Sequence, residues 1–189
     1  MKPILGIDTE TTGISADDRP VQIAAVLLHP VTWEIEDRFC TLVNPERPIQ
    51  LEAQKVHGIT QEQVEGQPTL DNVWSTTPLA KWVADSDYLF GHNVGFDIGM
   101  LGTKPLIHLK VIDTLRLARV MYPKMPNHKL QTVVRVLDLP KREAHDALAD
   151  IESCADFLHH INVHHGWDVL KMHHESANLK TNTRRRLGL

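Results

Sequence analysis

Ile4-Leu5-Gly6-Ile7-Asp8-Thr9-Glu10-Thr11-Thr12-Gly13 is the stretch on which the fold turns. A short apolar run ends in two acids placed two residues apart, and on an extended chain residues i and i+2 project to the same side. Asp8 and Glu10 therefore form one carboxylate pair at a strand end. Alone, such a pair before a glycine is mostly an ordinary strand-edge turn. Working outward, Val21 to Leu28 is a second apolar run, bounded by Pro20 and Pro30. From Trp33 to Val43 apolar residues fall mainly on odd positions, the pattern of a half-buried strand. Three strands in succession predict an antiparallel meander.

Beyond Pro45 and Pro48 the period becomes helical. Thr60 is placed to cap a short helix, and Leu70 to Ala84 repeats apolar residues at helical spacing with a break available at Pro78. Tyr88 to Phe90, ending at Gly91, reads as a strand, and Asn93 as the N-cap of a helix over Val94 to Leu101. Val111-Ile112 is a brief strand, after which Asp113 caps a helix from Thr114 to Met121. Lys129 to Leu137 and Ala147 to Val163 complete the helices, with Gly166 beyond the last. Strands first, then strand–helix alternation, predict an α/β fold with a mixed sheet.

With 189 residues and 42% hydrophobic content, one domain can build its own core. Cys40 and Cys154 lack metal-binding or redox spacing and read as free thiols, no run is long enough to span a membrane, and the chain is expected in the cytoplasm. The net charge of −4 hides a strong asymmetry: residues 104–142 carry +7, flanked by −9 over residues 1–103 and −6 over residues 143–170. A basic segment between acidic ones suits carboxylates that hold metal beside a surface that grips phosphates, although solvated helix faces also produce such clusters.

Two more acids join the first pair. Asp97, in Gly91-His92-Asn93-Val94-Gly95-Phe96-Asp97, falls in a first helical turn, where the helix dipole favours negative charge. Asp150, in His145-Asp146-Ala147-Leu148-Ala149-Asp150, lies inside the longest helix, with His145 on the loop before it. Each alone is an ordinary helix start. Together, Asp8-Thr9-Glu10-Thr11-Thr12-Gly13, Asn93-x-x-Phe96-Asp97, and His145 followed five residues later by Asp150 resemble the DnaQ-like 3′→5′ exonucleases of the DEDDh subgroup, over roughly residues 4 to 165. Asp113 to Arg119, Tyr122-Pro123 and Gly166-Trp167 are most similar to the exodeoxyribonuclease X branch.

The resemblance implies a ribonuclease H-like fold, a five-stranded mixed sheet with helices on both faces. It implies Asp8, Glu10, Asp97 and Asp150 as ligands of two Mg2+ ions, for which Mn2+ substitutes, and His145 as the general base toward water. An all-oxygen ligand set also favours hard cations on chemical grounds. Thr9, Glu52, His57, Asn93 and Phe96 are the expected contacts of the terminal nucleotide, with a satisfied, partly buried histidine an equal reading of His57. The implied partner is nucleic acid, DNA 3′ ends preferred, and the product a nucleoside 5′-monophosphate.

Other readings compete. An exoribonuclease of the RNase T or oligoribonuclease type would use the same acids, since these face metal and phosphate, not sugar. A non-catalytic polymerase-accessory module should lack a ligand, and none is missing here. His160 and His164, four apart on a helix, invite a transition-metal site, against which solvated surface is favoured. Residues 1–170 are expected to form the nuclease domain. Residues 171–189, with Arg184-Arg185-Arg186, are expected as a mobile basic tail that could meet a protein partner.

Overall fold

The computed structural model describes residues 2–166 and Asp168. The expected domain end at residue 170, Trp167, and the basic tail lie outside the described residues. Three strands, β1 (Ile4–Thr11), β2 (Pro20–Leu28) and β3 (Ile35–Leu42), form the antiparallel meander. Two short strands, β4 (Tyr88–Gly91) and β5 (Lys110–Asp113), add to it in parallel, giving the order β3-β2-β1-β4-β5. The α/β class and the five-stranded mixed sheet are thus as expected.

The period of two along the strands divides the core. Ile4 of β1 and Ala24, Val26 and Leu28 of β2 face one helical layer, made of α7 (Thr114–Met121), α8 (Leu130–Val136) and α9 (Ala147–His165). Leu5, Ile7, Ile23 and Ala25 face the opposite layer. That layer holds α3 (Leu70–Thr76), α4 (Leu79–Asp85), α5 (Gly95–Leu101) and α6 (Thr103–Leu106). β1 is consequently buried on both faces, and the acids at its carboxyl end are presented by a strand that packing immobilises. Gly6 permits this closeness: a Cβ there would overlap the ring of Phe90 and stand 2.9 Å from Ile151 Cγ1.

Between β3 and α3 the chain forms α1 (Leu51–His57) and α2 (Gln61–Val64). Thr60 caps α2 with a reciprocal pair, its hydroxyl accepting from Gln63 N–H while the Gln63 side chain accepts from Thr60 N–H. The helical stretch from Leu70 divides at Pro78, as its missing N–H dictates. Two expectations are corrected. Trp33 is no strand residue: it takes φ +63° in the turn before β3. Asn93 is no N-cap: at φ +65° it ends β4's connection, its N–H donates to Asp113 Oδ1, and Val94 occupies the cap position of α5 without a side-chain bond. The two cysteines are free, as expected. Among the described residues no helix is long and apolar enough to cross a membrane.

Candidate active site

β1 changes neighbours between antiparallel β2 and parallel β4, and such a switch leaves a crevice at the carboxyl ends of the strands. Alternation aims Asp8 and Glu10 toward the layer of α9, whose first turn carries Asp150. Thr9 aims the other way, toward α5. There its N–H and hydroxyl both donate to Asp97 Oδ1, at 3.0 and 2.8 Å. Asp150 is held from two sides: Gln131 Nε2 of α8 donates to Oδ1 at 3.1 Å, and His145 N–H donates to Oδ2 at 3.2 Å.

The electrostatics show these acids to be mutual neighbours. Burial, then Asp97, Asp150, Glu10 and Asp146, push the Asp8 carboxyl well above its ordinary value. Burial, followed by Asp150, Asp146 and Asp97, pushes Glu10 up to about 7. Asp97 is likewise pushed up to about 7 by burial, against the opposing hydrogen bonds from Thr9. Burial raises Asp150 as well, offset in part by His145 and Gln131. Two like charges about 4 Å apart repel by roughly 4 kcal/mol at an effective dielectric near 20. This is a site with surplus negative charge, and a divalent cation suits it.

One potential ligand atom from each of Glu10, His145 and Asp150 lies within 4.8 Å of the other two, the one such trio of potential metal ligands among the described residues. Asp8 and Asp97 belong to the same charge cluster but stand outside that closest set. His145 is exposed on the loop before α9, as its non-helical placement predicted, and takes φ +62°. Non-glycine residues adopt that conformation at a cost of about 1–3 kcal/mol and chiefly where the surroundings enforce it.

Here the surroundings are named residues. Arg142 pairs with Glu152 and Asp156 of α9. At the other end Asp146 caps α9 through Ala149 N–H, while Gln22 of β2 donates to Asp146 Oδ2 and accepts from Ala147 N–H. Neither Gln22 nor Gln131 was singled out in the sequence. A glutamine carries no chemical signature, and the only clue was that Gln22 interrupts an otherwise apolar strand.

The expected nucleotide contacts separate. His57, half-buried, stands across a cleft of about 320 Å3 from His145, with Lys55 and Gln22 also lining it. Its Nε2 lies 3.2 Å from Thr11 O and its Nδ1 accepts from Ile59 N–H, so it is satisfied and still faces the cleft. Burial holds it below the ordinary imidazole value. Phe96 is half-buried on α5, Asn93 is exposed beside it, and Glu52 is exposed on α1. Thr9 is buried, its polar groups already committed to Asp97. A further residue, Asp18, buried beyond Gly13, accepts from Thr12 Oγ1, Ser15 N–H and Gln50 Nε2 and so fastens the turn after β1 to the start of α1.

The profile of the RNase T-type family described as Exonuclease matches residues 5–158. The chain belongs to this exonuclease family. Within it, the chain is 35% identical over 159 residues to the PolC-type DNA polymerase III of Bacillus subtilis and 36% identical over 158 residues to that of Bacillus cereus. Each match covers 80% of this chain and 11% of the polymerase, so the chain spans about a tenth of the length of the curated relatives it matches. Exonuclease X in complex with 5′-overhanging duplex DNA superimposes with a TM-score of 0.75 at 28% identity, over 89% of this chain and 96% of that one. Exonuclease I of E. coli, bound to single-stranded DNA, shares the fold at 19% identity and TM-score 0.76, over 87% of this chain and 41% of that one. The DnaQ-like DEDDh grouping and the exodeoxyribonuclease X likeness read from the motifs are borne out.

Proposed function

We propose that this exonuclease-family chain is a metal-dependent 3′→5′ exonuclease of DNA that releases nucleoside 5′-monophosphates. One observation carries the reading: acids from β1, α5 and α9 crowd the carboxyl end of β1, where burial and mutual repulsion raise their affinity for protons and hence for cations. Asp8, Glu10, Asp97 and Asp150 are suited to hold two Mg2+ ions, with Mn2+ as a substitute. When bound, such ions polarise the scissile phosphate and acidify water.

The chain's own residues do the rest. His145, exposed at the cleft mouth, removes the proton of the attacking water, the general-base task that an imidazole most often performs. Thr9 keeps Asp97 fixed. His57, Glu52, Asn93 and Phe96 line the approach of the terminal nucleotide. DNA is favoured over RNA because Exonuclease X, similar over nearly its whole length, was captured on duplex DNA, and the PolC-type relatives are DNA polymerases. The finer assignments are proposals too: residues 1–170 as the nuclease unit, 171–189 as a basic extension that meets a protein partner, and a cytoplasmic setting.

The test is degradation of 3′- and 5′-labelled single-stranded DNA, duplex DNA and RNA with Mg2+. Shortening of DNA from its 3′ end should vanish in Asp8→Ala and fall by about 10²–10⁴ in His145→Ala. Preference for RNA would move the chain to the exoribonuclease reading, and no shortening of any substrate would remove the catalytic one.

A further inference from the structure

We propose that the segment joining α7 to α8 is a second nucleic-acid contact, a groove that takes an unpaired base of the single strand several nucleotides from the cleaved end. The groove rests on the exonuclease reading and adds to it a site and a preferred form of substrate.

The groove measures about 490 Å3, with Met121, Tyr122, Met125, Pro126 and Val136 as its walls and Lys124 at its rim. That volume lies within the range of small-ligand pockets. Its walls are apolar, yet Val136 is 49% exposed, as is neighbouring Val120 at 60%. Tyr122 is fixed from behind: its ring packs on Phe157 and His165, and its hydroxyl lies 2.7 Å from His165 Nε2. A braced aromatic in an open apolar groove is a platform for a flat apolar group.

Charge identifies the occupant. Lys2, Arg19, Arg38, Arg47, Lys81 and Arg142 each meet a carboxylate. Arg119, Lys124, Lys129, Arg135 and Lys141 are exposed and, among the described residues, meet none. Exposed Lys55 on α1 and Lys110 on β5 also meet none, but these five fall within residues 119–141, with Lys124 in the groove lining and Arg135 next in sequence to Val136 of its wall. An apolar platform amid cations that meet no carboxylate complements a polyanion with exposed π-faces, which is single-stranded nucleic acid. A duplex keeps its bases stacked inside and offers the groove nothing.

The position fits one continuous strand. Gln131, at the start of α8, touches Asp150, and the loop before it is fastened by His128, whose carbonyl meets His92 Nε2 and whose Nε2 meets Tyr122 O. Tyr122 touches His165, fifteen residues along α9 from Asp150, about 22 Å at roughly 1.5 Å per residue. The segment therefore runs from the acids to the groove over a distance of several nucleotides.

The experiment measures binding of labelled DNA single strands of about 2, 4, 8 and 12 nucleotides to the full chain by fluorescence anisotropy, with Ca2+ replacing Mg2+, beside Mg2+-dependent degradation of the same strands. Affinity should climb steeply up to about 8 nucleotides. Tyr122→Leu, which keeps apolar bulk against Phe157 but removes the π-face, should weaken the 8-mer by about tenfold and spare the 2-mer. Lys124→Ala with Arg135→Ala, both exposed and so harmless to folding, should flatten the salt dependence by roughly 0.7 for each phosphate no longer neutralised. Equal affinity at all lengths, unchanged 8-mer binding in both variants, or tighter binding of duplex would overturn the groove while degradation persists. Failure of every strand to bind and be degraded would overturn the exonuclease reading together with it.

Discussion

Asp97 Oδ1 accepts two hydrogen bonds from Thr9, one from its N–H and one from its hydroxyl, across 88 positions of sequence. The pair ties α5 to the carboxyl end of β1. Thr9→Val keeps the shape but, above about pH 7 where Asp97 is ionised, deletes the hydroxyl donor to a charged, buried acceptor. We expect a loss of about 1.5–3 kcal/mol in stability and weaker Mg2+ binding, read by urea denaturation and calorimetric titration. Unchanged Mg2+ affinity would mean that Asp97 is not a ligand.

The acid cluster fixes the direction of a pH effect. Glu10 and Asp97 titrate near 7 in the folded chain, above the ordinary carboxylate values of 4.5 and 3.8. A folded-state value raised above the unfolded one favours folding when the group is protonated. That contribution is complete below about pH 4 and is lost as pH rises through about 7. The metal-free chain should melt at a higher temperature near pH 6 than near pH 8, and saturating Mg2+ should narrow the difference because cations replace the protons. Melting curves with EDTA and with Mg2+ at both pH values decide this, and a metal-free melting temperature that rises toward pH 8 would contradict it.

Gly6→Ala places a methyl group against the Phe90 ring and 2.9 Å from Ile151 Cγ1. Overpacking of this kind costs about 1–3 kcal/mol. Because Ile151 adjoins Asp150, α9 should be displaced from β1 and activity should fall with stability. Denaturant midpoints and turnover measured on the same samples would separate the two effects, and full turnover in a destabilised variant would show that the acids tolerate the shift.

Gln22→Ala removes the donor to Asp146 Oδ2 and leaves Ala147 N–H without its acceptor. The first turn of α9 should open more often, raising amide exchange at residues 147–150 while the rest of α9 stays protected. Turnover should fall more than tenfold through misplaced His145 and Asp150. Exchange at Ala147 equal to that of the parent chain would refute the role given to Gln22.

Much of this was legible beforehand, where local chemistry decides. Pro78 had to split its helix, Thr60 and Asp113 could act as caps within three residues, and the alternation around Asp8 had only one outcome on a strand. What escaped was decided by distant contacts. Asn93 reads as a cap until Asp113, twenty residues on, takes its N–H and holds it at positive φ. Gln22 meets α9 from 124 and 125 positions away, and Gln131 meets Asp150 from a separate helix. The acids of the site announced themselves by type and order, whereas the amides that orient them are anonymous in sequence and visible only in space.

Arg142, fastened to α9, and Asp146, fastened to β2, leave only Glu143, Ala144 and His145 between their anchors. Such a tether spans at most about 3.3–3.6 Å per residue, so the imidazole works on a short leash. It can adjust to a phosphate that arrives slightly displaced, but it cannot follow a substrate away from the acids. In the role proposed for His145, proton removal would be confined to the spot where negative charge is already gathered, and lengthening the leash by a few glycines should uncouple the two.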